Sequence, residues 1–144
     1  MHAEDAYDLK RFVEAQKDTY ASALAELKAG RKRTHWIWFI FPQIAGLGRS
    51  EYSLHFSIKS APEARAYLEH PVLGPRLLEC AQALLALQGR SALEIFGSPD
   101  DLKLRSCMTL FAGVSGPGSV FSGVLEKYFD GKPDQKTLDL LGEA

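Results

Sequence analysis

Apolar residues recur every three or four positions along much of the chain, which is the period of a helix that buries one face. The first stripe runs from Leu9 to Leu27 and predicts a helix with Gly30 just past its end, where glycine commonly stops helices. A second stripe predicts a helix over about 73–87. Gln16 interrupts the first stripe, so either the core is wet there or Gln16 faces a site.

Residues that favour helix starts mark several further elements. The Ser-Ala-Pro-Glu string at 60–63 is a capping-box pattern and predicts a helix to about Leu68. The Ser-Pro-Asp-Asp string at 98–101 predicts a helix with its serine as N-cap and its proline as first helical residue. An apolar stripe over 120–128 predicts another helix, and Asp134 could cap a last one.

Two segments resist a simple helical interpretation. The aromatic and β-branched run from Trp36 to Phe41 has strand propensity, but so short a run does not distinguish a buried strand from a buried helix that Pro42 would end. Residues 54–58 alternate apolar and polar positions, which is typical of a short extended segment. Together the patterns predict a mainly α single domain over 1–144, a multihelical bundle of about six to seven helices with at most a minor extended segment.

Composition narrows the class of protein. With 144 residues, 46% of them hydrophobic and 24% charged, the chain matches a globular domain and not a disordered or collagen-like one. The net charge of −1 argues against nucleic-acid binding through bulk charge. The longest apolar run, 36–41, is too short to span a membrane, and the N-terminus lacks a signal-peptide pattern. Cys80 and Cys107 sit among apolar residues, so we expect buried thiols and a cytoplasmic location.

The histidines do not form a recognisable metal site. His35, His55 and His70 match no zinc spacing, so we expect no metal ion and no cofactor. His70 precedes a proline and is expected to bind a carbonyl in a turn. No nucleophile motif is present, and His35 is the one candidate for acid–base chemistry because histidine titrates near neutral pH. Whether the protein is an enzyme stays open.

A basic triplet at 31–33 precedes a histidine and two tryptophans, and this cluster suggests a ligand. Cations beside aromatic rings can hold a flat anion, because the charges pair with phosphates and the rings stack on a base. We therefore predict a pocket for a small phosphorylated or nucleotide-like anion. The predicted ligand-binding residues are Lys32, His35, Trp36, Trp38, Gln43, Ser50, Lys103 and Arg105.

Other interpretations of the same residues stay open. The charges could simply be solvated over a well-packed aromatic core. The protein could be a non-enzymatic interaction module, which predicts an exposed apolar or aromatic patch without a concave polar pocket. Nucleic-acid binding through the basic triplet is a weaker option and would require strong salt dependence. The sequence does not indicate the oligomeric state.

Several strings carry a resemblance that covers nearly the whole chain. They include Arg11-Phe12-x-x-Ala15-Gln16, Gly30-x-Lys32-x-Thr34-His35-Trp36-x-Trp38-Phe39-x-Phe41-Pro42-Gln43, Gly46-Leu47-Gly48-x-Ser50, Ala66-Tyr67-Leu68-x-His70-Pro71-x-Leu73-Gly74, Phe96-Gly97-x-x-Asp100-x-x-Lys103-Leu104-x-Ser106 and Phe129-x-Gly131-x-x-Asp134-x-x-Thr137. With these strings the chain resembles the family called domain of unknown function 1810. The resemblance implies a small, mainly helical bacterial protein without an established activity. A calpastatin label sometimes given to the family does not suit this chain, because calpastatins are disordered and this composition is globular. The polar residues that the family pattern retains are Gln16, Lys32, His35, Gln43, Ser50, His70, Lys103 and Ser106.

Overall fold

The computed structural model describes residues 5–143. Within that range the chain forms ten helices: α1 Lys10–Gln16, α2 Tyr20–Lys28, α3 Ile37–Ile40, α4 Glu51–His55, α5 Ala61–Glu69, α6 Leu73–Ala86, α7 Ala92–Phe96, α8 Asp100–Ser115, α9 Val120–Phe129 and α10 Gln135–Glu143. Seven of them have seven residues or more, and the buried hydrophobic residues form one core cluster. The prediction of a mainly α, single-domain helical bundle is confirmed. Across these residues, no helix combines the length and the apolarity that a bilayer crossing requires.

Helix α8 occupies the centre of the bundle and packs against α3, α5, α7, α9 and α10. Its apolar stripe is fully buried, from Leu104 through Met108 to Phe111. Leu110, on another face, is also fully buried, because neighbours cover the helix on several sides. Each large apolar side chain buried in this way contributes about 1.5–3 kcal/mol to stability, so α8 is a rigid base for the residues that it carries.

The N-terminal stripe forms two helices where one was predicted. Helix α1 ends at Gln16, the amide of Thr19 donates to the Gln16 carbonyl at 3.0 Å, and α2 then begins at Tyr20. The apolar residues of α1 and α2 nevertheless pack into the same core cluster. The predicted stop at Gly30 is confirmed: its φ of +79° is accessible to glycine, and its amide donates to Leu27 at 2.9 Å.

The aromatic run contains a short helix, α3, and not a strand. Trp36 and Phe41, which flank it, are fully buried, and their rings lie 6.3 and 5.9 Å from the ring of Phe96 in edge-on packing. No strand lies alongside within residues 5–143, so an extended run would leave its buried amides without partners.

The prediction of an extended segment at 54–58 is wrong for most of its length. Helix α4 covers 51–55, because Ser50 caps it by accepting a hydrogen bond from the amide of Ser53 at 3.1 Å. Only Ile58 pairs as a strand would, in an isolated parallel bridge to Ile44. This bridge fixes the loop that follows α3.

Three predictions made at helix starts differ from the structure, at least in part. Ser60 caps α5 as predicted, yet Glu63 turns away from it and forms a buried ion pair with Arg11 at 2.8 Å. Helix α8 begins after Pro99 with no side-chain cap, so the predicted serine N-cap is wrong. His70 does not bind a carbonyl, because its Nδ1 accepts from the amides of residues 72 and 73 at the start of α6.

Candidate functional site

The eight residues predicted to bind a ligand fall into three groups in the structure. Trp38, Gln43 and Lys103 meet at one surface groove and its margin. Lys32 and Trp36 lie below the surface and support that region. The third group, which lies outside the groove lining, comprises His35, Ser50 and Arg105.

The groove lies between the loop after α3, the start of α8 and the start of α10, and we call it the α8–α10 groove. Its cavity volume is about 240 Å³, and its lining residues are Gln43, Leu47, Gly48, Ser53, Pro99, Leu102, Lys103, Ser106, Asp134 and Lys136. A smaller hollow of about 20 Å³ adjoins it, shares Gln43 and Ser53, and has Trp38 in its wall. The groove therefore combines two lysines, one carboxylate, neutral hydrogen-bonding groups and apolar side chains.

Lys103 is held in place from two sides. Its Nζ lies 3.5 Å from Oδ1 of Asp100 and 5.2 Å from the ring centroid of Trp38. Trp38 in turn stacks on Tyr52 with ring centroids 4.9 Å apart and planes 24° apart. A cation–π contact of this kind contributes about 0.5–1 kcal/mol at an exposed site. These two contacts hold the Lys103 ammonium group at the margin of the groove.

Lys32 supports this arrangement from beneath. Its Nζ lies 2.9 Å from Oδ2 of Asp100, donates to the carbonyl of Thr34 at 2.6 Å, and sits 5.1 Å from the Trp36 ring. Its side chain is only 7% exposed. Lys32 therefore orients the Asp100 carboxylate, which in turn orients Lys103. Trp36 is fully buried in the core, so no ligand can stack on its ring.

The loop that carries the basic triplet is fixed by Glu26 of α2. This carboxylate accepts from the amides of Arg33 and Thr34 at 2.7 and 3.1 Å, from the Thr34 hydroxyl at 2.7 Å and from Nε1 of Trp36 at 2.9 Å. Burial by itself would raise the pKa of Glu26, but these hydrogen bonds to the ionised form outweigh it and lower the pKa to about 2. Glu26 stayed unnoticed in the sequence because its partners lie in an irregular loop.

Polar side chains of α8 hold the turn before α10. The Arg105 guanidinium donates to the carbonyls of residues 132 and 133, each at 2.9 Å, and these hydrogen bonds fix the turn. Ser106 Oγ donates to Asp134 at 3.2 Å, and the Asp134 amide donates to Thr109 Oγ1 at 2.9 Å. The Asp134 carboxylate also accepts from the amide and hydroxyl of Thr137, which confirms it as the cap of α10.

His35 and Ser50 have other positions. His35 is exposed and lines neither the groove nor the adjoining hollow. Ser50 caps α4, and its hydroxyl donates to Oγ of Ser53 at 2.9 Å. Ser53 does line the groove, so Ser50 acts on the groove through its neighbour.

Sequence reasoning missed Ser53, Leu102 and Lys136 as lining residues. Lys136 reaches the groove only because α10 docks on α8, and no local pattern indicates that docking. The structure shows why residue 48 is glycine: a Cβ there would lie 2.6 Å from Ser53 Oγ, so the loop approaches that side chain closely only without one.

A second hollow of about 470 Å³ lies near the N-terminus and is lined by residues that include Tyr7, Arg11, His55, Lys59 and Glu63. The Arg11 guanidinium donates to four backbone carbonyls and to the Glu63 carboxylate, at 2.6–2.8 Å. Burial and the nearby Arg11 charge lower the pKa of Lys59. Because Arg11 is fully engaged, this hollow is built around a structural ion pair.

The lining of the α8–α10 groove suits binding better than acid–base chemistry. It presents two ammonium groups, a side-chain amide and hydroxyls, whereas Asp134, its carboxylate, is engaged as a helix cap. Among the residues that the structure describes, no three His, Cys, Asp or Glu side chains converge as a metal site would require.

Comparison with known proteins places these features in a family context. The model of a family described as "Protein of unknown function (DUF1810)" matches residues 6–141. The crystal structure of the conserved hypothetical protein Rv1873 from Mycobacterium tuberculosis is similar, with a TM-score of 0.94 and 53% sequence identity over 96% of this chain and 99% of that chain. A comparison with curated proteins finds no match. The resemblance inferred from the sequence motifs is confirmed.

Proposed function

Because the chain belongs to the DUF1810 family, whose description assigns no activity, we propose a function from the groove itself: the protein binds a small phosphorylated anion in the α8–α10 groove. The observation that carries the proposal is the presence of Lys103 and Lys136 in one concave lining that also holds Gln43 and Ser53. Concave sites with a few converging polar groups are the usual places for small ligands.

In this proposal each groove residue has a physical role. Lys103 and Lys136 neutralise the phosphate, the hydroxyl of Ser53 donates a hydrogen bond to one of its oxygens, and the side-chain amide of Gln43 bonds to a polar group on the rest of the ligand. Trp38 acts indirectly, because its face orders the Lys103 ammonium. Lys32 is a positioning residue that acts through Asp100. His35, Trp36, Ser50 and Arg105, which the sequence analysis included, are not ligand contacts in this proposal.

The magnitude of binding follows from the number of charged contacts. Each charge-assisted hydrogen bond contributes about 1.5–3 kcal/mol, and the cost of association offsets much of the sum of two such bonds. We therefore expect weak binding, with a dissociation constant of about 1 mM. The Asp100 carboxylate beside Lys103 weakens this attraction, whereas Lys136 is exposed and adapts to the ligand.

Calorimetric titration with inorganic phosphate and with a panel of organic phosphates tests the proposal. Lys103→Met and Lys136→Met should each weaken binding by about tenfold. Lys132→Met is the matched control, because Lys132 is exposed, lies near Lys136 in the chain and does not line the groove. Equal affinities for all four proteins, or no binding by wild type, would contradict the proposal.

An interaction module is a second candidate, which one observation favours. Tyr52 and Leu54 are 58% and 57% exposed and lie beside Trp38 at the edge of the small hollow. Exposed apolar residues of this size can mark a protein contact. Light scattering would then show self-association or a complex that Tyr52→Ser abolishes, and a monodisperse monomer that captures nothing would argue against this candidate. The two free buried thiols agree with a cytoplasmic location, which stays a prediction.

A further inference from the structure

Leu102 is a large apolar residue that is exposed to solvent inside the groove. Its side chain is 54% exposed, yet it lines the α8–α10 groove directly beside Lys103. Leu47 and Pro99 also belong to the lining. Apolar surface inside a concave site gains free energy when a ligand covers it. The groove therefore has an apolar wall as well as two cations.

Gln43 adds a polar group that can recognise the edge of a ring. Its backbone carbonyl accepts from the Ile58 amide at 2.8 Å, which fixes the residue in the loop. Its half-buried side chain lies between the groove and the small hollow, and none of the hydrogen bonds among the described residues involves its amide. A free side-chain amide offers one acceptor and two donors.

We propose that the ligand is an organic phosphate monoester whose phosphate is attached to a flat, largely apolar ring; this inference rests on the proposed function. The phosphate lies between Lys103 and Lys136, the ring covers Leu102 and Leu47, and the Gln43 amide bonds to a polar atom on the ring edge. The cavity of about 240 Å³ is smaller than typical sites of about 300–1,000 Å³, so it fits one ring and a phosphate better than a dinucleotide.

Three phosphates separate the contributions of charge and apolar surface. Phenyl phosphate has the ring, glycerol 3-phosphate has a polar group of similar size, and inorganic phosphate has neither. We expect phenyl phosphate to bind wild type about tenfold more tightly than glycerol 3-phosphate, because only the ring gains from covering the apolar wall. Calorimetric titration at a single salt concentration gives all three affinities.

Leu102→Ser supplies the matching variant, and Leu93→Ser is its control. Leu93 is 57% exposed, close to Leu102, but it lies on α7 and outside the groove lining. Leu102→Ser should weaken phenyl phosphate several-fold and leave inorganic phosphate unchanged, whereas Leu93→Ser should change neither. The comparison of ligands on wild type needs no variant, so it stands even if a variant folds poorly.

The outcomes distinguish this inference from the proposed function. If phenyl phosphate and glycerol 3-phosphate bind equally while both need Lys103 and Lys136, the ring inference is overturned and phosphate binding stands. If inorganic phosphate and both esters fail to bind, both proposals fall. If phenyl phosphate binds but Leu102→Ser leaves its affinity unchanged, the ring lies elsewhere and the inference is wrong.

Discussion

Replacing Glu26 by glutamine tests how the loop beneath the groove is held. The carboxylate accepts four hydrogen bonds from residues 33–36, which carry no regular structure of their own. Glu26→Gln keeps the size of the side chain and one oxygen, but it removes the charge and the second acceptor. The loop that positions Lys32 would lose its main restraint.

The magnitude follows from the lowered pKa. A fall of the Glu26 pKa from its ordinary 4.5 to about 2 corresponds to about 3 kcal/mol of preference for the ionised form in the folded state. The side chain is only partly buried, so solvent screening reduces the expected contribution to about 1–2 kcal/mol. Because the pKa of Glu26 is lower in the folded state than in the unfolded state, this contribution to stability is present above about pH 4.5 and is lost as the pH falls toward 2.

Urea unfolding at pH 7 and at pH 2.5 measures the effect. Glu26→Gln should lower the free energy of unfolding by about 1–2 kcal/mol at pH 7, and the gap from wild type should largely close at pH 2.5. Glu14→Gln is the control, because Glu14 is exposed on α1 and makes no hydrogen bond through its side chain in the described structure. A variant as stable as wild type at pH 7, or a gap that persists unchanged in acid, would refute this reasoning.

Three further predictions concern other parts of the protein. Arg11→Met should cost about 3–5 kcal/mol in urea unfolding, because it leaves the buried Glu63 carboxylate without its partner; a loss under 1 kcal/mol would contradict this. Asp134→Ala should cost about 1–2 kcal/mol and speed amide exchange in α10, since it removes the cap, and unchanged exchange would count against it. Burial raises the pKa of Cys80 to about 12 and that of Cys107 well above its usual value, so neither thiol should react with a thiol reagent at pH 8 until the protein unfolds. Rapid labelling of the folded protein would show that the thiols are accessible.

The helices with strong local signals could be predicted from the sequence, and those that depend on distant contacts could not. Helix α6 was expected over about 73–87 and spans 73–86, because its apolar stripe and its flanking residues agree. The state of α3 stayed open because the contacts that decide it are with Phe96, far along the chain. The alternation of apolar and polar residues over 54–58 predicted an extended segment wrongly, because the Ser50 cap stabilises helix α4 more than so short an alternation favours a strand.

The candidate site was predicted in part. Gln43 and Lys103 were expected near one ligand, and both line the groove. Lys136 could not be found from local pattern, because it depends on the docking of α10, in which the leucines at 140 and 141 approach the glycines at 46 and 113. The sequence places Trp36 beside a basic triplet and so predicts it as a ligand contact. In the structure its side chain is buried while that of the neighbouring His35 is exposed, because adjacent residues can point in opposite directions.

A titration of the isotope-labelled protein with inorganic phosphate, followed by backbone amide resonances, tests the central claim most directly. We predict that shifts cluster at 43–53, 99–106 and 134–137, the three segments that build the α8–α10 groove, and that they shrink in Lys103→Met. Shifts confined to 31–35 or to the hollow around Arg11 and Lys59, or no shifts at millimolar phosphate, would contradict the assignment of the groove as the anion site.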